Sequence, residues 1–266
     1  MFNGTGMEQN RKTPRHTMAP PAPQTPAPAA FESARTALIE ESDWQDFMRK
    51  TKDRGVDLLL TDPPYAISRS TGFAHVKNGV GRFAVSMDFG PWDHAEINLG
   101  ALCAEAFRLL RPGGTAIIWY DLWKITGLET ALRQAGFEMI RLIIWQKTNP
   151  VPLNQNSTYL SNSREVAVSA VKGGKPTFNS TYDNGIYTLP IPRHGGRREH
   201  PTQKPINLFR HLVEKHSNPG DLVIDPFLGS GTTAVAALEQ NRNFKGCDID
   251  PAYVAVARRR VADLNG

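Results

Sequence analysis

The sequence predicts an α/β protein built on a doubly wound, mostly parallel sheet. First, apolar runs of strand length alternate along the chain with segments of helical periodicity, which is the pattern of repeated β-α units. Second, the run Val56–Thr61 is short and almost continuously apolar, as expected for a strand that is buried on both faces. Third, the last third of the chain repeats the same alternation, so one architecture accounts for both halves.

The predicted elements follow one another in a regular order. The strand at 56–61 ends before Pro63 and Pro64, because proline cannot donate to a sheet ladder. A helix follows at 94–110, where apolar residues recur at mostly helical intervals until a Pro-Gly-Gly sequence ends it. The remaining predicted elements are a strand at 115–120, a helix at 124–135, strands at 137–146, 164–171 and 221–225, a helix at 232–240, a strand at 243–248 and a helix at 252–262.

Three segments match neither periodicity. Residues 1–31 are rich in proline, alanine and threonine and cannot bury enough apolar surface to fold. We therefore predict a disordered tail before a single folded domain at 32–266. Residues 66–93 and 174–200 are rich in glycine, asparagine, arginine and histidine, and we predict that they form loops facing the target.

Composition narrows the class of protein. The chain has 266 residues, and its 31 Lys and Arg against 26 Asp and Glu give a formal net charge of +5, which suits a polyanionic partner without requiring one. The two cysteines, Cys103 and Cys247, have no partner at metal-ligand spacing, so neither disulfides nor a metal site are predicted. The chain lacks an apolar run of roughly eighteen residues and a signal-peptide core, so we predict a cytoplasmic protein without a membrane span.

The segment Asp62-Pro63-Pro64-Tyr65 places an acid, two prolines and a tyrosine directly after a predicted strand. These residue types suit methylation of an exocyclic base nitrogen, whose lone pair is delocalised until hydrogen-bond acceptors draw its protons. The Asp62 carboxylate and the Pro63 carbonyl supply two acceptors, and the prolines hold that carbonyl rigidly. Tyr65 can stack on a base that has been flipped out of a duplex. The alternative is a turn that merely ends a strand.

The segment 225–233, Asp-Pro-Phe-Leu-Gly-Ser-Gly-Thr-Thr, joins a predicted strand to a predicted helix. Its glycines allow a tight turn close to a ligand, and the helix amino end attracts negative charge. A P-loop is excluded, because no lysine follows the second glycine. Asp248 ends the next strand, where it can accept hydrogen bonds from ribose hydroxyls, and Asp250 is the competing choice. The same spacing overlaps a dinucleotide fingerprint, so an NAD-dependent oxidoreductase stays open.

Four motifs in order carry a family resemblance. The residues 62–65, His200-Pro201-Thr202-Gln203-Lys204-Pro205, 225–233 and Gly246-Cys247-Asp248-Ile249-Asp250 resemble the amino-methyltransferases of DNA, in the permuted order called the beta group. In that group the catalytic tetrapeptide precedes the cofactor loop, as it does here, and the resemblance runs from about 35 to 265. It implies the Rossmann-like fold of methyltransferases that use S-adenosylmethionine.

The resemblance also implies a role for each matching residue. Lys204 and its neighbours border the methionine end of the cofactor, Asp248 holds the ribose, and Asp43 lies near the adenine, although Ser42 replaces the usual preceding glycine. The implied catalytic residues are Asp62, Pro63, Pro64 and Tyr65. The implied cofactor-binding residues are Asp43, Lys204, Pro205, Asp225, Phe227, Gly229, Ser230, Gly231, Thr232, Thr233 and Asp248.

The leading acidic residue favours adenine N6 as the target, because cytosine N4 members of the family mostly carry serine in place of Asp62. Cytosine N4 methylation stays open, as do an RNA or protein-glutamine acceptor and a DNA-binding module with a dead cofactor site. Only some fifty residues separate Asn149 from His200, so we expect a short or loosely defined recognition sequence.

The predicted partner is double-stranded DNA. The basic residues of the second loop occur among aromatic residues, as suits contact with phosphates beside an extruded base; they are Lys172, Lys175, Arg193, His194, Arg197, Arg198 and His200. An ordinary solvated loop is the alternative. Trp145 is expected to be core, and the arginines 258–260 to lie on a solvated helix face. A homodimer and a companion restriction enzyme stay open, since no residue pattern marks an interface.

Overall fold

A computed structural model of the chain describes residues 35–65, 73–77, 80–85, 97–150, 160–192 and 203–264. The predictions for 1–31, for most of 66–93 and for 193–200 lie outside these residues. The strands are β1 (Ala37–Glu41), β2 (Val56–Thr61), β3 (Phe73–Lys77), β4 (Val80–Val85), β5 (Leu110–Tyr120), β6 (Glu138–Lys147), β7 (Arg164–Val171), β8 (Ile186–Leu189), β9 (Leu222–Asp225) and β10 (Asn243–Asp248). The helices are α1 (Trp44–Lys50), α2 (Leu99–Leu109), α3 (Ile125–Gln134), α4 (Ile206–His216), α5 (Thr232–Glu239) and α6 (Pro251–Ala262).

The central sheet has eight strands in the order β1-β10-β9-β2-β5-β7-β6-β8. The strands β1, β10, β9, β2 and β5 run parallel to one another, and β8 runs parallel to β6. The strand β7 is antiparallel to both of its neighbours, β5 and β6. A separate antiparallel pair, β3 and β4, stands within the predicted loop 66–93. The sheet is therefore mostly parallel, as predicted.

Helices cover both faces of the sheet. One apolar core joins the sheet to α1, α2 and α3, and a second joins it to α4, α5 and α6. The residues of β2 alternate between these cores, because successive side chains of a strand point to opposite faces. Leu58 and Leu60 lie in the core of α4 to α6, whereas Leu59 lies in the core of α1 to α3. The doubly wound prediction is confirmed.

Most predicted elements agree with the structure to within one or two residues at each end, but α2 and β5 do not. Helix α2 begins at Leu99, five residues later than predicted, because Asn98 caps it. The other exception is strand β5. It begins at Leu110, five residues earlier than predicted, and includes Pro112 and Gly113. The Gly113 N–H donates to the carbonyls of Lys172 (2.9 Å) and Gly173 (2.6 Å), and its φ of +79° requires glycine. The Pro-Gly-Gly sequence does end helix α2, but pairing with the chain beyond β7 keeps these residues extended.

Besides β3 and β4, four elements were not predicted from the sequence: β1, α1, β8 and α4. The strands β1 and β8 stand at the two edges of the sheet and are only five and four residues long, so they carry little apolar periodicity. Helix α4 starts at Ile206, directly after Pro205, and its apolar residues recur on one face only. Within the described parts of the chain, no helix is long and apolar enough to cross a membrane.

Candidate active site

The two sequence motifs meet at the point where the sheet changes winding direction. From β9 the chain continues through α5 to β10 on one side, and from β2 it continues through α2 to β5 on the other. In such sheets ligands bind in the crevice beyond the carboxyl ends of the strands at this point. The segment 62–65 leaves β2 here, beside the loop 226–231 that leaves β9. A hydrogen bond of 2.6 Å from the Thr61 hydroxyl to Asp225 Oδ1 ties the two strand ends together.

Asp62 is held by two partners within this crevice. The Tyr65 hydroxyl donates a short hydrogen bond to Asp62 Oδ1, and Lys204 Nζ forms an ion pair with Asp62 Oδ2. Burial raises the pKa of the Asp62 carboxyl, and the charge of Lys204 opposes that effect without cancelling it. Pro63 is buried and Pro64 is half-buried, so ring geometry and packing together fix the backbone after Asp62.

The Tyr65 ring is fixed by its surroundings. It makes an edge-on contact with Tyr120, with ring centroids 5.6 Å apart, and Lys204 Nζ lies 5.5 Å from the centroid of the Tyr65 ring. Lys124 Nζ donates a 3.0 Å hydrogen bond to the Tyr65 carbonyl. Burial, reinforced by the charge of Asp62, raises the pKa of the Tyr65 hydroxyl well above its ordinary value. Tyr65 therefore stays a hydrogen-bond donor to Asp62.

Lys204 is a buried cation at the centre of the site. Only 3% of its side chain is exposed, and its ammonium lies over the rings of Tyr65 and Trp119, each at 5.5 Å. That Lys204 borders the methionine end of a cofactor stays a prediction; in the structure its ammonium pairs with the carboxylates of Asp62 and Glu165. Pro205 follows and begins helix α4, which fixes the backbone at Lys204.

Glu165 extends this contact into a row of alternating charges. Its carboxylate lies 2.7 Å from Lys147 Nζ and 3.1 Å from Lys204 Nζ. Burial raises the pKa of the Glu165 carboxyl, but the two lysines outweigh it, so the net pKa is lowered. Burial likewise lowers the pKa of Lys204, but Asp62 and Glu165 outweigh it, so the net pKa is raised.

The sequence analysis did not identify Glu165, and no local motif marks it. Because β7 is antiparallel to β5, its first residues, rather than its last, reach the edge of the sheet where Asp62 lies. The one available signal was an acidic residue at the start of an otherwise apolar strand, and that signal has meaning only once the direction of β7 is known.

The loop between β9 and α5 depends on its glycines. Gly229 and Gly231 have positive φ values of +50° and +82°. A Cβ on Gly231 would lie 2.8 Å from the Cβ of Ala257 on α6, so close packing also excludes a side chain there. No side chain caps the start of α5 at Gly231. The first N–H groups of α5 therefore lie at the loop that borders the crevice.

The acid that opens this loop has a structural role. Asp225 is 3% exposed, and its carboxylate accepts hydrogen bonds of 2.6 Å from Thr61, 2.6 Å from Thr233 and 3.0 Å from the Phe227 N–H. Burial raises the pKa of Asp225 to about 6, with these hydrogen bonds opposing the shift. We predicted cofactor contacts for Asp225, Thr232 and Thr233, but all three side chains are buried. These buried side chains support the conformation of the loop.

An arginine of the last helix supports the same loop. Arg260 Nη1 donates hydrogen bonds of 2.6 Å to the Ser230 carbonyl and 3.2 Å to the Ser230 hydroxyl, which is itself buried. Arg258 on the same helix donates a 2.7 Å hydrogen bond to the Ile39 carbonyl of β1. Arg258 and Arg259 are exposed, as expected, whereas Arg260 is half-buried because it packs on the loop.

Asp248 faces the glycine loop, whereas Asp250 does not. Asp248 accepts a 2.8 Å hydrogen bond from the Gly229 N–H through Oδ2 and a 2.9 Å hydrogen bond from the Asp250 N–H through Oδ1. Burial raises the pKa of the Asp248 carboxyl. The Asp250 side chain accepts a 2.8 Å hydrogen bond from the Ala252 N–H and so caps helix α6. Of the two acids, Asp248 is thus the one placed to hold a ligand beside the loop.

The segment after β1 completes this side of the crevice. The Ser42 N–H donates a 3.1 Å hydrogen bond to the Asp248 carbonyl, which brings Asp43 beside the loop. Asp43 caps helix α1 by accepting a 2.8 Å hydrogen bond from the backbone two residues on. The ring of Trp44 lies against that of Phe227, with centroids 5.8 Å apart and planes tilted by 40°. Two aromatic rings and a carboxylate therefore border the same end of the crevice.

The first part of the second predicted target loop, residues 174–179, lies at the other end of the strands, whereas its later part returns along β6 to Lys147 as strand β8. Lys172 is 8% exposed, and its Nζ donates a 2.7 Å hydrogen bond to the Leu110 carbonyl, so it was wrongly predicted to contact phosphates. Asn179 bonds to the last turn of α4 through the Glu214 and Ser217 carbonyls. Residues 172–179 therefore sit at the amino edge of the sheet, about 20 Å from Glu165 along β7. Their basic residues are not beside Asp62.

Trp145, by contrast, has the position that we expected for it. It is 2% exposed, and its indole N–H donates a 2.9 Å hydrogen bond to the Leu189 carbonyl of β8. This residue is part of the core, although it lies only two positions from Lys147, the partner of Glu165.

Comparisons with known proteins agree with this geometry. Residues 56–259 match the N6/N4 methyltransferase family model described as DNA methylase. The type II methyltransferase M2.DpnII of Streptococcus pneumoniae is 33% identical over 251 residues, which cover 86% of this chain and 90% of that protein. The type II methyltransferase M2.MboI of Moraxella bovis is 29% identical over 245 residues, covering 85% of this chain and 88% of that protein.

Solved structures give the same match in three dimensions. The M1.HpyAVI–SAM complex superimposes with a TM-score of 0.65 at 27% identity, covering 85% of this chain and 99% of that one. The cytosine-N4-specific PvuII DNA methyltransferase superimposes with a TM-score of 0.66 over 85% of this chain and 86% of that one. Its identity is only 16%, so this second match concerns the fold alone.

Proposed function

The chain belongs to the N6/N4 DNA methylase family, and from that premise we propose that it transfers a methyl group from S-adenosylmethionine to the exocyclic N6 of adenine in double-stranded DNA. The observation that carries the proposal is the position of Asp62. Its carboxylate stands at the carboxyl end of β2, at the change of winding direction, and beside the glycine loop after β9. An acceptor for the amino group and a nucleoside-binding loop thus share one crevice.

The residues around the loop match a nucleoside-type cofactor. The Asp248 carboxylate is oriented by two backbone N–H groups, so its remaining lone pairs can accept hydrogen bonds from ribose hydroxyls. The rings of Phe227 and Trp44 offer apolar faces to the adenine, next to Asp43. The glycine backbone at 229–231 allows close approach to the remainder of the cofactor. We therefore propose that these residues hold S-adenosylmethionine, which supplies an electrophilic methyl group when bound.

The catalytic work of the protein falls on the segment 62–65. Asp62 and the Pro63 carbonyl accept hydrogen bonds from the two amino protons, which makes the nitrogen lone pair more available. The rigid backbone keeps both acceptors in place, so little reorganisation is needed during the reaction. Methylation leaves the nitrogen with a positive charge and one proton too many. Asp62 is placed to accept that proton and release it to water, and its raised pKa assists the acceptance.

Adenine is favoured over cytosine because the leading residue of the tetrapeptide is Asp62 rather than serine. Cytosine N4 methylation is the second candidate. Digestion of the modified DNA to nucleosides, followed by mass analysis, separates N6-methyladenine from N4-methylcytosine and decides between the two.

The finer predictions about partners and location belong to this proposal as well. A companion restriction endonuclease is supported by the type II designation of the relatives, and it predicts that methylated DNA resists an endonuclease with the same recognition sequence.

A homodimer is tested by sedimentation velocity of the purified chain. A cytoplasmic location is proposed because bacterial DNA, the expected substrate, lies there.

The decisive experiment is the substitution Asp62→Ala. Transfer of labelled methyl groups to DNA is expected to fall by about 100-fold or more, because the main acceptor for the amino group is lost. Binding of S-adenosylmethionine, measured by calorimetry, is expected to persist, since the residues that hold it lie on the other side of the crevice. The control is Asp46→Ala, an exposed acid on α1 that pairs only with Arg49 among the described residues. Wild-type methyl transfer by the Asp62→Ala protein would refute the proposal.

A further inference from the structure

Both carboxylate oxygens of Asp62 are already engaged in the structure. Tyr65 donates to Oδ1 and Lys204 is paired with Oδ2. If Asp62 is to receive the amino group of a base, as the proposed function requires, one of these partners must give way. The charge decides which one. A cation held against Asp62 would oppose the positive charge that the nitrogen gains on methylation, whereas the neutral Tyr65 hydroxyl would not.

The residues that the structure describes shield Lys204 almost completely from water. Its side chain is 3% exposed and is enclosed by the rings of Tyr65 and Trp119. A buried ammonium without a counter-charge is strongly disfavoured. Among the residues that the structure describes, Glu165 is the other carboxylate in contact with the Lys204 ammonium, at 3.1 Å. Movement of the ammonium toward Glu165 is therefore the displacement that keeps it paired.

Glu165 is built to receive that charge. It lies on β7 in register with Trp145 of β6, so its backbone is fixed in the middle of the sheet. Its other oxygen is held by Lys147 at 2.7 Å, which fixes the orientation of the carboxylate. The two lysines keep Glu165 ionised by outweighing the effect of burial on its pKa. The carboxylate is thus a rigid, charged acceptor one contact away from Asp62.

We propose that Glu165 is a positioning residue that takes Lys204 over from Asp62 when the target base enters, which leaves the Asp62 carboxylate to the exocyclic amino group. The proposal rests on the proposed function and concerns how that same site is made ready for the base. In the free enzyme Lys204 neutralises Asp62. In the complex with DNA, Glu165 neutralises Lys204.

The test compares Glu165→Gln with the matched variant Glu239→Gln. Both glutamates have 26% of the side chain exposed and both are paired with a basic residue, Lys204 in one case and Arg210 in the other. We expect Glu165→Gln to lower kcat/KM for DNA by about 10- to 100-fold, the loss typical of residues that orient a reacting group through a neighbour. Glu239→Gln should keep the wild-type value, and Glu165→Asp should recover part of the loss.

A second variant separates positioning from a merely structural role. Lys147→Met removes the residue that orients Glu165 and helps to keep it ionised, so kcat/KM for DNA should fall in the same direction as in Glu165→Gln while thermal stability stays close to that of the wild type. If the row of charges only supports the fold, Lys147→Met and Glu165→Gln should reduce both activity and thermal stability together. That parallel loss would overturn the proposal. If Glu165→Gln fails to fold, Lys147→Met alone decides: a loss of kcat/KM at unchanged thermal stability supports the proposal, and either wild-type activity or a parallel loss of stability overturns it.

The Asp62→Ala protein keeps this test distinct from that of the function itself. If Asp62→Ala still methylates DNA, the proposed function is wrong and the role of Glu165 loses its basis. If Asp62→Ala is inactive while Glu165→Gln matches the wild type, the function stands and only the positioning role is refuted. Cofactor affinity, measured by calorimetry without DNA, should be the same for Glu165→Gln and the wild type, because the proposed exchange concerns the base.

Discussion

At Gly231 in the glycine loop, both the backbone conformation and the packing exclude a side chain. Its φ is +82°, and a Cβ there would lie 2.8 Å from the Cβ of Ala257. We expect Gly231→Ala to lower the free energy of unfolding by about 1–2 kcal/mol through backbone strain and by about 1–3 kcal/mol more through overpacking. Urea denaturation measures the loss, and cofactor binding should weaken with it, because α6 must move away from the loop.

Gly220 provides the control for this prediction. It has a similar φ of +88°, but a Cβ at that position would meet no described atom within 4 Å. Gly220→Ala should therefore show only the backbone cost of about 1–2 kcal/mol. Equal losses for the two alanine variants would mean that the contact with Ala257 adds nothing, and the packing part of the argument would fail.

Single residues were predictable from the sequence where a linear motif fixes their neighbours. Asp62 and Asp248 each end a strand, and the direction of a parallel strand determines which edge of the sheet its last residue reaches. Glu165 could not be found in this way, because its position depends on an antiparallel strand far along the chain. For Asp225 the sequence shows an acid beside a glycine loop, but it does not show that Thr61 and Thr233 donate hydrogen bonds to its carboxylate.

At the scale of elements, Asp43 at the start of helix α1 has one observed role and one predicted role. The side chain caps the helix in the structure, while cofactor contact is a prediction from the family resemblance. We expect Asp43→Ala to cost about 1 kcal/mol of stability and Asp43→Asn only a few tenths, because asparagine caps helices as well as aspartate does. Thermal and urea unfolding measure both.

The asparagine variant then isolates the charge of Asp43. Because Asp43→Asn keeps the cap, any loss of cofactor affinity in that protein reports on the carboxylate itself, as the predicted contact with the cofactor requires. If Asp43→Asn is as unstable as Asp43→Ala, the cap explanation is incorrect, and the stability of α1 depends on the charge instead.

Elements were predictable where periodicity is long and both flanks carry stop signals. The strand β2 has a clear apolar run ended by Asp62 and two prolines, and helix α5 has an apolar run that begins directly after Gly231. The edge strands β1 and β8 are too short for periodicity to reveal them, and their pairing partners, β10 and β6, hold them in the sheet. The extension of β5 through Pro112 and Gly113 likewise comes from tertiary pairing with Lys172 and Gly173.

For the whole molecule, the sequence predicted the fold class but not the strand order. The alternation of strands and helices along the chain predicts a doubly wound sheet. It does not predict that β7 is antiparallel to its two neighbours or that β8 pairs with β6. The direction of β7 has a functional consequence. It brings Glu165 to the end of the strands where Asp62 lies and carries residues 172–179 to the opposite end, so Lys172 and Lys175 are distant from Asp62.

Stability of the whole domain should depend on pH through His216, the last residue of α4. Burial lowers the pKa of His216 to about 4, with the neighbouring charge of Lys215 contributing, and the His216 ring packs edge-on against Phe178 at 5.5 Å. The unfolded chain takes up a proton near pH 6.5, whereas the folded chain does so only near pH 4. Between these values the unfolded state binds more protons, so the free energy of unfolding should fall as pH falls from 6.5 to 4.

The variant His216→Gln tests this dependence of stability on pH, to which Asp225 also contributes. Burial raises the pKa of Asp225 to about 6, so its contribution has the opposite sign: it is present below pH 3.8 and is lost as pH rises through 6. Because Asp225 is common to both proteins, the difference in unfolding free energy between wild type and His216→Gln isolates the histidine. The wild type should lose stability relative to His216→Gln as pH falls from 6.5 to 4. His211→Gln, at an exposed site on the same helix, should follow the wild type throughout. A constant difference across this range would show that His216 exchanges protons equally in both states, and the burial of α4 against the sheet would then not govern the acid sensitivity of the fold.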